Sequence, residues 1–282
     1  MIEEIFEKLL YSLDQQGQDE REDDWSEDVS TSLESLRESY DTLTVKDRAA
    51  IDYGELATQA AYVFAYAIGR AEFTYQLLKR HRAALGAPIF SGDKVTITSI
   101  GGGPGSEIAG LVKYLLDPES DENVKSIKYW VLDKDKAWEH LCQSVVDSLE
   151  AYIPVELNFI AVDLCKPKSF KNISLAGDDM IILSFIISEL CALTDKDKAE
   201  STLRELYQTL DNGAKIFYND SNASSFYYFF NDTRKFVKGL GKVSQKSEVV
   251  EEICIDLNFG ETYIQYIENL DATPHLTRFR TY

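Results

Sequence analysis

The segment Thr98-Ser99-Ile100-Gly101-Gly102-Gly103-Pro104-Gly105-Ser106-Glu107 constrains this chain more than any other. It follows a β-branched apolar run over 95–100 and precedes residues 106–116, whose apolar positions recur at helical spacing. Glycines at such a junction let the main chain turn tightly and admit a ligand against it, because no Cβ intervenes. A strand-to-helix junction of this kind lies at the carboxyl edge of an open α/β sheet, the edge where those sheets bind ligands.

The segments on either side keep the same rhythm. Apolar runs over 129–132, 157–162, 180–187 and 216–218 read as strands, with helices over 136–149 and 198–210. The turn Asp211-Asn212-Gly213 announces the fifth strand. Short apolar strands separated by helices imply a parallel sheet covered on both faces. Near the end the pattern changes. Residues 249–257 and 262–267 flank Asn258-Phe259-Gly260-Glu261, which predicts an antiparallel hairpin.

The first third is different in character. Residues 1–50 hold 15 acidic and 5 basic side chains, a net of -10 out of -19 for all 282 residues. Ile2, Ile5, Phe6, Leu9, Leu10 and Leu13 make one apolar stripe on a helix. The polar stretch 15–30 around Trp25 reads as a loop, and 32–40 as a second helix. Residues 46–85 contain no proline and predict two or three further helices, ended by Gly86-Ala87-Pro88. These helices are expected to cap the sheet, with Tyr62, Tyr66 and Tyr75 as candidate walls of a pocket.

The charge balance excludes some partners. A chain this acidic repels polyphosphate, so direct nucleic-acid binding requires a basic partner. It also repels anionic membrane, and its longest apolar run, 180–187, is far short of the roughly 20 residues of a spanning helix. Cys142, Cys165, Cys191 and Cys254 form no CxxC pair and no cluster with histidine, so neither a metal site nor a disulfide framework is expected. The acidic start Met-Ile-Glu-Glu resembles no targeting peptide, and the expected location is cytoplasmic.

The glycine segment lacks the Gly-Lys-Ser/Thr of a P-loop. It also departs from the dinucleotide pattern, because Ser106 stands at the last glycine position. Its pattern, Gly101-x-Gly103-x-Gly105, resembles the first motif of the class I S-adenosylmethionine-dependent methyltransferases. Further pieces follow in order. Asp133 ends Val131-Leu132-Asp133, Asp163 ends Ala161-Val162-Asp163, and residues 182–190 run Ile-Leu-Ser-Phe-Ile-Ile-Ser-Glu-Leu. Leu210-Asp211-Asn212-Gly213 is similar to the turn before the family's fifth strand.

The resemblance implies a seven-stranded, mostly parallel Rossmann-like sheet with a closing antiparallel hairpin over 91–282, and an N-terminal helical cap over 1–90. It implies S-adenosyl-L-methionine as methyl donor, held by Gly101, Gly102, Gly103 and Gly105. Asp133 would take the ribose hydroxyls and Asp163 the adenine amino group, with Ser184 and Phe185 bordering donor and acceptor. The implied activity is methyl transfer to a small molecule or a protein. Glu189, Asp220 and Tyr228 are the catalytic candidates, by their places after strands four and five; His81 and His140 fall in predicted helices and His275 in the tail. Two departures stand out. Ser99 occupies the position where the family usually carries an acid that holds the donor's methionine end. The fourth motif also lacks the Asn/Asp-Pro-Pro-Tyr of enzymes that methylate amino or amide nitrogen.

Two other functions compete. A methyltransferase fold without turnover, serving as an interaction module, is consistent with Ser99 and the acidic appendage. A nicotinamide oxidoreductase is disfavoured by Ser106 and by the 32 residues from Gly101 to Asp133, against about 20 in the dinucleotide pattern.

Overall fold

Five parallel strands form the centre of the computed structural model, which describes residues 1–21, 24–42, 45, 51–166, 168, 170–193, 196–211, 213–220, 224–233, 259–272 and 274. They are β1 (Lys94–Ile100), β2 (Ser126–Asp133), β3 (Val155–Ala161), β4 (Met180–Ser184) and β5 (Lys215–Asn219). Their order across the sheet is β3-β2-β1-β4-β5. β1 lies beside β2 with Ile100 opposite Leu132, and on its other side beside β4 with Ile100 opposite Leu183. The chain reverses its direction of winding between β1 and β4, which opens a crevice at the carboxyl ends of those strands. All five residues of β4 are buried, as a strand covered on both faces requires.

Helices cover both faces. On one side stand α1 (Ile2–Arg21), α2 (Trp25–Asp41), α3 (Leu56–Tyr62), α4 (Ile68–Leu85), α5 (Ser106–Leu116) and α6 (Trp138–Leu149). One apolar cluster runs through them from Phe6 and Phe64 to Ile97 and Val146. On the other side α7 (Ile186–Leu193), α8 (Lys196–Gln208) and α9 (Ser224–Thr233) pack on Ile100, Ile181 and Leu183. Gly110 joins the N-terminal helices to the sheet, since a Cβ there would lie 2.2 Å from the Ala71 carbonyl. Only glycine lets α4 and α5 come this close. Among the described residues no helix is long and apolar enough to cross a membrane.

Three expectations are corrected. The stretch 15–30 is helical for most of its length, because α1 continues to Arg21 and α2 begins at Trp25. Pairs four residues apart, Gln18 to Asp14 at 2.7 Å and Gln16 to Glu20 at 3.0 Å, knit its polar face. The Trp25 ring sits where a Cβ on Gly17 would be, and its indole N–H donates to Asp14 at 3.0 Å. Second, β4 ends at Ser184. The chain turns at Phe185, with φ +57°, directly into α7.

Third, residues 262–267 lie in a helix, α10 (Glu261–Leu270), and not in a strand of a hairpin. Their β-branched and aromatic composition suggested a strand. Glu7 decides otherwise by accepting the N–H groups of Thr262 and Tyr263 at 2.6 and 3.4 Å, at the point where a helix has orphan donors. Tyr263 and Tyr266 then bury on one helical face while Ile264 stays 46% exposed. Residues 249–257 fall outside the described residues except by sequence. The sheet therefore has five strands among the described residues, and not the expected seven.

Candidate functional site

The crevice between β1 and β4 widens into a cleft lined from both the sheet edge and the helices, at the place where open α/β sheets bind ligands. One wall is the carboxyl edge of the sheet. Gly101 and Gly103 adopt φ of +67° and +48°, the left-handed region that favours glycine. A Cβ on Gly103 would project into open space, its nearest atom the Tyr62 hydroxyl at 4.0 Å. The main chain is therefore bare to the cleft at this point. Gly102 and Gly105 are not among the cleft residues. Gly102 packs against Ser99 and Val131, and Gly105 against Cys142 and Ile108, so both serve the turn itself.

Asp133 ties this turn to the end of β2. One carboxylate oxygen accepts the Gly103 N–H at 3.0 Å and the other accepts the Asp135 N–H at 2.9 Å. A carboxylate oxygen has two acceptor sites, so each can take one further donor. Burial raises the Asp133 pKa to about 6, against the two backbone N–H groups, which favour the anion. Asp163 follows β3 and lines the same cleft, its carboxylate accepting the Cys165 N–H at 2.9 Å and pairing with Lys166 at 3.3 Å. Ser184, Phe185 and Glu189 complete this wall from β4 and α7.

The other wall comes from the N-terminal helices. Tyr40, Tyr53, Tyr62 and Arg70 line it, joined by Trp138 of α6. The Tyr40 and Tyr53 hydroxyls meet at 2.9 Å, and the Trp138 ring packs on Tyr53 and Tyr62 with centroids 5.0 and 5.2 Å apart. Between α3 and α4 the helix makes one wide π turn, Val63–Ala67. Such turns recur at functional sites, and this one sets Tyr62, Tyr66 and Arg70 together on one side. Arg70 donates to the Tyr62 hydroxyl at 2.5 Å and stands 4.4 Å from the centre of the Phe185 ring. The left-handed turn at Phe185, which costs a non-glycine residue about 1–2 kcal/mol, presents that ring to the guanidinium.

The structure thus brings together Gly101, Gly103, Asp133, Asp163, Ser184, Phe185 and Glu189. It separates four other candidates from them. Asp220 accepts the Ser188 N–H at 2.9 Å and so caps the start of α7. Tyr228 is 63% exposed on α9, whose Phe226, Phe229 and Phe230 fill the core as the aromatic run suggested. Tyr75 binds Asp117 at 2.7 Å on the outer side of α4, while Tyr66 packs edge-on against Tyr40 behind the cleft wall. Ser99 is buried and accepts the Tyr129 hydroxyl at 2.9 Å, so nothing at that position reaches the cleft.

Arg70 and Lys134 are charged residues of the cleft lining that sequence reasoning missed, and Glu107 acts on Arg70 from outside that lining. Glu107 opens α5 fully inside the fold; burial raises its pKa and the Arg70 guanidinium opposes that rise. A signal existed for Arg70. No charge occurs between Glu55 and Arg70, and a cation that closes so long an uncharged stretch is a rare choice for a core position.

No protein-family model matches this chain, and no curated protein matches it. Among solved structures it is similar to a protein from Methanococcus maripaludis assigned to the S-adenosyl-L-methionine-dependent methyltransferases. That match has 15% identity over 67% of this chain and 74% of the other, with a TM-score of 0.40. It is similar to an O-methyltransferase family protein from Burkholderia thailandensis at 11% identity, covering 57% of this chain and 41% of that one, TM-score 0.37. It is also similar to the trans-methyltransferase CalH in complex with SAH, at 16% identity over 62% and 43%, TM-score 0.36. The overlap spans less than half the length of the last two proteins.

Proposed function

We propose that this chain binds S-adenosylmethionine across the carboxyl edge of its sheet and transfers the methyl group to a small-molecule or protein acceptor. The observation that carries this reading is the pairing of Asp133 with the bare main chain at Gly103 in one cleft. A ribose needs two acceptors for its adjacent hydroxyls, and the carboxylate has one open site on each oxygen. Asp163 is the partner for the adenine amino group, and Ser184 and Phe185 border the end where donor and acceptor meet. When bound, the donor supplies an activated methyl group on a sulfonium that leaves readily.

What remains for the protein is alignment and exclusion of water. Tyr53, Tyr62 and Trp138 wall the cleft opposite the glycine turn and serve the second purpose. Glu189 is the catalytic candidate that lines the cleft, and it is the group placed to take a proton from an acceptor that must lose one. Calorimetric titration with S-adenosylhomocysteine tests the reading. Saturable one-to-one binding, competed by S-adenosylmethionine, is the expected result. Absence of binding by both ligands to the folded protein would refute it.

A further inference from the structure

Arg70 lies at the inner wall of the cleft with 8% of its surface exposed. Among the described residues no carboxylate stands within 4.0 Å of it. Its neighbours are neutral. The rings of Tyr40, Tyr62, Tyr66 and Phe185 surround the guanidinium at 4.4 to 5.7 Å. The Tyr62 hydroxyl accepts one of its five N–H groups, and burial holds the Tyr40 and Tyr62 hydroxyls protonated. Glu107 acts on the cation from beyond ion-pair distance. A cation taken out of water without a paired anion is costly, although aromatic faces offset part of the cost. The fork of the guanidinium matches a carboxylate, which it can bind through two parallel hydrogen bonds.

We infer that Arg70 is an anion receptor that takes a carboxylate of a ligand held in the cleft. The inference rests on the donor-binding reading for its place in the reaction, because two sources carry that chemistry: the amino-acid end of the donor, or an acidic acceptor. The position favours the donor. Tyr62, which Arg70 holds, has its hydroxyl 4.0 Å from where a Cβ on Gly103 would stand, so Arg70 and the bare main chain face the same part of the cleft. Arg70 would then supply from the helical wall a grip on the methionine end that Ser99 does not.

Calorimetry on the full chain separates the sources. S-adenosylhomocysteine, its decarboxylated analogue and 5′-methylthioadenosine, which lacks the amino-acid arm, are titrated into the parent and into Arg70→Met. If the donor supplies the carboxylate, the parent loses about 10- to 150-fold in affinity on decarboxylation of the ligand. Arg70→Met then abolishes that difference and leaves 5′-methylthioadenosine binding intact, which also shows that the variant is folded.

If the acceptor supplies it, the two homocysteine ligands bind equally. Benzoate, but not benzamide, then binds the S-adenosylhomocysteine-loaded parent, and Arg70→Met does not bind benzoate. Both ligand comparisons can be read on the parent alone, so a variant that fails to fold leaves the proposal exposed. A parent that prefers neither the carboxylated donor nor benzoate overturns it. A parent that binds no adenosine ligand refutes the donor reading instead, and benzoate against benzamide still decides the anion site.

Discussion

The two walls of the cleft are built from different materials. The sheet wall is mostly main chain and short acids at strand ends: Gly101, Gly103, Asp133 and Asp163, each fixed by the strand before it. The helical wall is made of long side chains, Tyr40, Tyr53, Tyr62 and Arg70, which come from 31 positions of sequence and meet only when α2, α3 and α4 pack together. The first wall suits a ligand of fixed shape, recognised by backbone and carboxylate. The second is where shape and charge can vary without disturbing the sheet. The comparison predicts that damage to the first wall abolishes donor binding, whereas damage beneath the second costs stability.

The largest effect is expected for Gly103→Val. The branched side chain would fill the space above the turn and strain a residue at φ +48°, a strain of about 1–2 kcal/mol. Binding of S-adenosylhomocysteine should fall below detection by calorimetry while the circular dichroism spectrum stays that of a folded protein. Undiminished affinity would mean that the ligand does not touch this wall. Phe6→Ala probes the support of the other wall. Phe6 is fully buried on α1 and is not part of the cleft lining, and its loss should reduce unfolding free energy by about 3–5 kcal/mol. Donor affinity of the folded fraction should change by no more than about twofold, since Phe6 shares no contact with the ligand and sites without shared partners act independently. A large loss of affinity would show that the walls are coupled.

Asp133 gives a test by pH. Its pKa of about 6 in the fold lies above the ordinary 3.8 because burial disfavours the anion. The folded state therefore holds its proton over a range where the unfolded state releases it, and the stability contribution falls as pH rises from about 4 to 6. The full change is about 3 kcal/mol. Denaturant titrations of the ligand-free parent and Asp133→Asn should diverge by up to this amount across that window, with the parent losing ground. Parallel pH profiles would place Asp133 in a wetter site than the structure shows.

The smaller effects concern neighbouring acids. Asp133→Ala should weaken S-adenosylhomocysteine binding by about 10- to 150-fold at pH 7.5. Asp135 is half-buried, lines the same cleft and pairs with Lys134 at 3.6 Å. Asp135→Ala should still cost only about threefold, the scale of a partly exposed charge. Equal losses for the two variants would shift the ribose site from one acid to the other.

The sheet wall was legible in sequence because its signals are local. A β-branched run, a glycine turn and an acid at the next strand end each declare themselves within ten residues, and the strand order then brings them to one edge. The two glycines that serve only the turn, Gly102 and Gly105, could not be told from Gly101 and Gly103, since all four share one motif. The helical wall was legible only as helices. Tyr62 was named with Tyr66 and Tyr75, but a π turn and the packing of α4 on α5 decide which ring faces inward, and neither has a period that sequence displays. Arg70 was visible as the first charge after a long uncharged stretch, yet its meaning depends on Phe185, 115 positions later. The segment 262–267 failed for a similar reason: its cap, Glu7, lies at the opposite end of the chain.

The crystal structure of the chain grown with S-adenosylhomocysteine tests the central claim most directly. Both ribose hydroxyls are expected within about 2.5–3.0 Å of the Asp133 carboxylate, with the ligand main body lying over Gly103 and the adenine beside Asp163. Ligand density elsewhere, or a ribose out of hydrogen-bonding reach of Asp133, would contradict it.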